Sequence, residues 1–300
     1  KDCNFINNTA TRGGGVYWFS SNGTIMNSSF MSNTATHAGG GISWDGANGT
    51  LIGSKFIKNT ADYGGGVHWG STYSTIWGST FTGNIANRDG GGLYFWISNS
   101  TITKCNFNDN TANLGGGLYL SSTSNNSIVV DCSFNNNTAN LGGGLCWLGN
   151  NGTLTGSTFT DNNAKSTHGG GVFWSPIAAN GTLTKCTFIG NEATQDGGAV
   201  YWNGANGTLT DSNFTKNNAG NEGSICWAGD NGVINDSNFI NNSAIHGGGV
   251  YWQGNNGNLA NSTFINNTGN HGGSIHWAGP YGNIFNSNFT GNTATQGGAI

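Results

Sequence analysis

Residues 30–44 read FMSNTATHAGGGISW, and this phrase from Phe30 to Trp44 returns along the whole chain. Its first part, Phe-x-x-Asn, occurs twelve times, starting at Phe5, Phe30, Phe56, Phe81, Phe107, Phe134, Phe159, Phe188, Phe214, Phe239, Phe264 and Phe289, with neighbouring copies 25 to 29 residues apart. A fixed period of this size, in a chain rich in turn residues, marks a solenoid: no unit can bury its apolar face alone, so each must stack on its neighbours.

Aligning the copies on the Phe exposes further columns. Five residues earlier stands an aliphatic residue (Ile25, Leu51, Ile76 and their counterparts) and two earlier a Ser or Cys, both read as inward-facing. Between them, residues such as Asn27, Gly53, Asp131, Asp211 and Asn261 suit a corner between two short strands. The Asn after each Phe predicts an internal ladder, in which stacked amides satisfy one another along the axis. A Gly-Gly-Gly run follows, then an aliphatic residue and, two positions on, usually Trp, as in Val16/Trp18, Ile42/Trp44 and Leu145/Trp147; Leu93/Phe95 and Leu118/Leu120 are the exceptions. A spacing of two puts both side chains on one strand face, so the Trp column belongs inside and the variable residue between them faces out.

Three short strands joined by Gly and Asn corners, stacked coil on coil, must run parallel. The predicted fold is all-β: a right-handed parallel β-helix of about twelve coils of about 25 residues, forming a single domain over residues 1–300. At one strand spacing per coil the rod would be on the order of 55 to 60 Å long.

Gly (54), Asn (49), Thr (33) and Ser (27) make up over half of the chain, a balance typical of low-complexity tails; the regularly spaced aromatics, 12% of residues, argue instead for a packed core. The net charge is −4 with no basic patch, which speaks against nucleic acid as a partner. There is no apolar run long enough to span a bilayer. The chain opens in mid-repeat at Lys1-Asp2-Cys3-Asn4-Phe5 and both ends read as ordinary repeat, so either an excised piece of a longer chain or copies stacking end to end is expected.

The pairing of Phe-x-x-Asn with Gly-Gly-Ala-Ile, literal at Gly297-Gly298-Ala299-Ile300 and nearly so at Gly197-Gly198-Ala199-Val200, resembles the motif pair of the polymorphic outer membrane proteins. The Asn-Gly-Thr-Leu coils at Asn151–Leu154 and Asn206–Leu209 are similar to adhesin-like surface proteins of methanogenic archaea. The resemblance implies a right-handed β-helix outside the cell, acting as an adhesin stalk or as the unit of a cell-surface filament or sheath. Its implied partners are further copies of itself, joined head-to-tail or laterally, or glycan and cell-surface ligands.

For chemistry, the outward column offers Tyr17, Tyr94, Tyr119, Phe173, Tyr201 and Tyr251 as a row of exposed aromatics that could stack on sugar rings. The Asn-Gly-Thr corners at Asn22, Asn48, Asn151, Asn180 and Asn206 are candidate glycosylation sites. Stacking places Cys105 over Cys132 at a separation that permits a disulfide without requiring one, while Cys146 and Cys226 read as outward. His246 and His271 share a column without a third ligand in it, so no metal and no cofactor is expected. The alternative to a non-enzymatic surface protein is a carbohydrate-active enzyme using the carboxylate pair Asp211 and Asp236, beside Lys185. The insertions Lys165–His168 and Ser175–Ala179 mark the coil where loop-borne specificity is expected.

Overall fold

The computed structural model describes residues 1–97 and 99–300. The chain winds into about eleven turns of parallel β-helix. One sheet of twelve strands runs from Asn4–Ile6 to Asn288–Thr290 and carries the Phe column; a second, of eleven strands from Val16–Trp18 to Ile275–Trp277, carries the Trp column; a third, of eleven strands from Thr24–Met26 to Asn283–Phe285, carries the aliphatic column. Equivalent residues pair directly, as Phe5 with Phe30, Trp18 with Trp44 and Ile25 with Leu51.

The coil has a fourth side that the three-strand reading missed. Thr9–Arg12, Thr34–Ala38, Thr60–Tyr63 and Ile85–Asp89 form one short sheet, Thr138–Ala139 to Asn218–Ala219 another, and isolated parallel bridges continue the line. Ala10, Ala35, Ala61 and Ala86, each five residues after its Phe, lie in these short strands. Four left-handed residues turn each coil, in one coil Asn27 (φ 49°), Ser32 (φ 52°), Gly39 (φ 67°) and Asn48 (φ 56°). Asn and Asp tolerate this region better than other side chains, which accounts for their density at the corners. At Gly39 a side chain would also strike the backbone of Ile42, and at Gly40 the carbonyl of Gly65 in the next coil. The third glycine of the run is less constrained and gives way to Ala199, Ser224 and Ser274.

The interior contains three stacks, the Trp one interrupted at Leu120. Phe rings lie face to face at 4.5–5.0 Å from Phe5 to Phe289, and Trp147, Trp174, Trp202, Trp227, Trp252 and Trp277 stack at 4.4–5.1 Å. The amide column is the third. Nδ2 of Asn137 donates to Oδ1 of Asn162 (3.0 Å) and to the Phe107 carbonyl (2.8 Å), while its Oδ1 accepts from the backbone N and the Nδ2 of Asn110 (both 3.0 Å). Both donors and both acceptor lone pairs are used, which makes a fully buried amide tolerable. The inward Ser column behaves alike: Ser54 Oγ accepts from the Ser28 backbone and donates to the Ile52 carbonyl. Cys105, Cys132 and Cys186 occupy the same column as buried free thiols, Cys132 Sγ accepting the Cys105 backbone N–H at 3.4 Å.

The Trp column also explains the Asn-Gly corner. A side chain at Gly23, Gly49, Gly152, Gly181, Gly207, Gly232, Gly257 or Gly282 would collide with the Trp ring of its own coil. Where Phe95 and Leu120 replace Trp, Ser100 and Ser127 replace the glycine; Trp69 over Ser74 is the one departure.

Two predictions follow from this packing. Asn137→Ala leaves two donors, the Asn110 backbone N–H and one N–H of the Asn110 amide, without partners in the dry interior and removes one donor from the Phe107 carbonyl; it should destabilise the rod by roughly 3–5 kcal/mol, read as a lowered urea midpoint with amide exchange rising first in the adjoining coils. Gly152→Ala should destabilise by roughly 1–3 kcal/mol and be rescued by Trp147→Leu, the pairing already present at Leu120 and Ser127; a thermodynamic cycle with no coupling would refute the Trp–Gly account.

Candidate binding groove

The outward face of the Trp sheet is not a flat row of exposed side chains. After the fourth side, the left-handed glycine turns the chain so that the residue preceding it lies beside the centre of the next strand. Tyr63, Leu114 and Leu141 in that position fold over the strand residues Tyr94, Tyr119 and Cys146, forming a second small apolar cluster outside the barrel, completed by Leu148 and Phe173. The expectation of an exposed aromatic row is corrected accordingly: Tyr94 and Tyr119 are buried, Phe173, Tyr201 and Tyr251 are half-buried, and Tyr17 alone of the six is largely open, at 48%. Cys146 and Cys226, expected to face out, are also buried, Cys146 within this cluster and Cys226 with its thiol donating to the Glu222 carboxylate at 3.5 Å.

Towards the N-terminal coils this covering opens into a cavity of about 340 Å³ lined by Arg12, His37, Asp45, Tyr63, His68, Gly70, Tyr94 and Trp96. Three neighbouring coils supply the residues just after the Trp column: Asp45, Gly70 and Trp96. Because Gly70 has no side chain, a gap remains between the carboxylate on one side and the indole on the other. A Cβ built there would lie 2.7 Å from Asp45 Oδ1 and 3.4 Å from the His68 ring. The floor is rigid, since Tyr94 is sandwiched between His68 (5.1 Å, 10°) and Tyr119 (5.0 Å, 7°). Tyr63 meets Tyr94 edge-on at 5.4 Å, with the Arg88 guanidinium above the Tyr63 ring and hydrogen-bonded to its hydroxyl. Trp96 forms the far lip, 6.0 Å from Tyr94 and 49% exposed.

The near end is polar. Arg12 Nη1 lies 3.6 Å from Asp45 Oδ2, and the Tyr17 hydroxyl donates to the same oxygen at 2.9 Å. Among the described residues, Oδ1 has no partner and faces the space over Gly70. Burial lowers the His68 pKa from 6.5 to about 4, against the attraction of Asp45 and aided by Arg12 and His37, so the ring is neutral at pH 7. Trp96 is the residue that column reading passed over; its signal was a tryptophan one step out of phase, directly after Phe95, in the coil that lacks the core Trp.

Elsewhere, Asn22, Asn48, Asn151, Asn180 and Asn206 are exposed at the corner as predicted, and their amides form an external ladder, Asn206 Nδ2 donating to Asn180 Oδ1 and Asn180 Nδ2 to Asn151 Oδ1 (both 3.1 Å). Asp211 and Asp236 stand exposed on a corner. A different carboxylate pair, Asp196 and Glu222, is more enclosed: Asp196 accepts from the Glu222 backbone (3.2 Å) and pairs with His168 Nδ1 (2.9 Å), while burial and Asp196 raise the Glu222 pKa. His168 comes from the Lys165–His168 insertion, which therefore braces this pair; the groove lies several coils away from both insertions. His246 stacks on His271 at 4.9 Å, and His276 from the adjacent column meets His246 edge-on at 5.3 Å. Among the described residues, no cluster of His, Cys, Asp and Glu is arranged to hold a metal ion, and no helix is long and apolar enough to cross a membrane.

The Chlamydia polymorphic membrane protein repeat matches residues 185–201, which contain Phe188, Asn191 and the Gly197-Gly198-Ala199-Val200 run. No curated protein matches the chain. Among solved structures, the receptor-binding domain of the siphovirus 9NA tailspike is 8% identical at a TM-score of 0.49, covering 99% of this chain and 70% of that one. PfbA, a surface adhesin of Streptococcus pneumoniae, is 13% identical at 0.39, covering 89% and 72%. The profile of the right-handed beta helix region matches residues 1–156, more than half of the chain. The eleven-turn parallel winding and this match together place the chain in one family: it belongs to the right-handed beta helix region family.

Proposed function

We propose that this chain is an adhesive rod displayed at a cell surface, which binds its target through the groove on the outward side of the Trp sheet and without catalysis. The observation that carries the reading is the groove itself: an exposed indole, two tyrosines and a carboxylate oxygen without a partner among the described residues, with Tyr63 and Tyr94 on paired strands and Asp45 and Trp96 directly after strand ends, their backbone N–H groups donating to the Trp18 and Trp69 carbonyls. Preorganised aromatic side chains bind with little ordering cost, which is what a repetitive, stiff scaffold offers an adhesin. The repeat shared with a chlamydial membrane protein supports display outside the cell. An archaeal source, association into a filament or sheath, and N-linked glycans on the exposed Asn22, Asn48, Asn151, Asn180 and Asn206 are finer parts of the same proposal. The carbohydrate-active enzyme has less support, because Asp211 and Asp236 lie on an open corner instead of in a cleft.

Beads coated with the chain should be retained on microbial or animal cell layers, and Trp96→Ala or Gly70→Leu should reduce retention about tenfold; equal retention of the variants would end this reading. Retention should be constant while His68 is neutral and should fall as the pH drops through about 4, where its imidazole gains a proton beside Arg12. Fold stability has the corresponding sign: an unfolded His protonates near 6.5, so stability is undiminished above that pH and is lost progressively between 6.5 and about 4. His68→Gln should flatten both profiles.

A further inference from the structure

The groove has three chemical features at fixed spacing. Trp96 presents an open ring at one lip. Asp45 presents Oδ1 from the other, with both of its protein partners on Oδ2. The two residues stand two coils apart, roughly 10 Å at the strand spacing; between them Gly70 adds no side chain, and Asp45 Oδ1 leans over it, 2.7 Å from where a Cβ would stand. The floor between them, His68 and Tyr94, is aromatic and immobile. The cavity, at about 340 Å³, falls at the small end of small-ligand sites.

The geometry points to a neutral pyranose sugar as the occupant, with its C–H face on Trp96 and its hydroxyls shared between Asp45 Oδ1 and the Arg12 guanidinium, an inference that rests on the adhesive reading above. An indole face is electron-rich and attracts the weakly positive C–H groups of one side of a sugar ring, while the hydroxyls at the ring edge need partners that point inward from the side. Asp45 Oδ1 accepts from one hydroxyl; Arg12, held against Oδ2, donates to the neighbouring one. Such a pair recognises adjacent hydroxyls and penalises an analogue that lacks one, because the carboxylate oxygen is then covered by the ligand without a partner. Neutrality of the ligand follows from the charges around the site. Arg12 is already balanced by Asp45, and Arg88 beyond Tyr63 is accompanied by Asp62 and Asp89, so no positive surplus rewards a carboxylate or sulfate on the sugar. His68, neutral at pH 7, adds none.

The test is saturation-transfer NMR on the whole chain, with cellobiose and lactose as neutral probes and glucuronic acid and sialyllactose as anionic ones. Transfer should reach the ring C–H protons of a neutral probe. Affinity should fall at least tenfold in Trp96→Ala and in Asp45→Asn, and binding should vanish in Gly70→Leu, with thermal melting of the exposed-site variant Trp96→Ala unchanged as the folding control. Transfer to neither neutral probe, a preference for the anionic ones, or undiminished binding by Trp96→Ala would overturn the inference. The two readings separate cleanly. Beads whose retention depends on Trp96 while no neutral sugar binds would preserve the adhesive role and remove the sugar; sugar binding by a chain whose beads are never retained would do the reverse.

Discussion

Every other feature of this rod depends on the buried amide column. An asparagine side chain in a dry interior is tolerable only if two donors and two lone pairs all find partners, and Asn137 meets that condition through the coil on each side and the Phe107 carbonyl. The bonds link each coil to the next with one allowed offset. A slip of one residue would strand four polar groups at once and turn the Phe and Trp columns towards water. Register in this fold is therefore enforced by polar satisfaction as much as by apolar burial.

Fixed register lets a second constraint operate, the fit of each Trp ring against the glycine that follows it. That glycine disappears where the ring shrinks to Phe95 or Leu120, so the chain contains its own comparison series. The Asn-Gly-Thr phrase thereby acquires two separate causes: a left-handed corner at the Asn, and the need for an unobstructed ring at the Gly. With the Thr that opens the next strand, the same phrase also has the form of a glycosylation motif.

With the interior this constrained, variation is confined to outward positions, and there the chain changes character along its length. The first coils carry Arg12, Asp45, Tyr63 and Trp96; the middle coils seal the same surface with Leu114, Tyr119, Leu141 and Phe173; later coils place His168, Asp196 and Glu222 on it, and then three histidines. One strip of surface therefore presents different chemistry from coil to coil. The groove exists because Gly70 interrupts its column between Asp45 and Trp96, a deletion of side chain instead of an added loop.

The repeat alone determined the parallel winding, the inward Phe, Trp, Ser and Asn columns and the Gly and Asn corners, because period and side-chain alternation are local properties of the sequence; that the corners are left-handed came from the structure. Tyr17 and the Asn corners were also legible as exposed. Tyr94, Tyr119, Cys146 and Cys226 were not, since their burial depends on residues of a neighbouring column folding across them. The fourth side of the coil was hidden because its strands are either two residues long or interrupted by a register shift, so they show no sustained alternation. Only the tertiary structure could decide where a gap opens: the groove is set by Asp45, Gly70 and Trp96, one position from each of three coils, and no single copy of the repeat contains that relation.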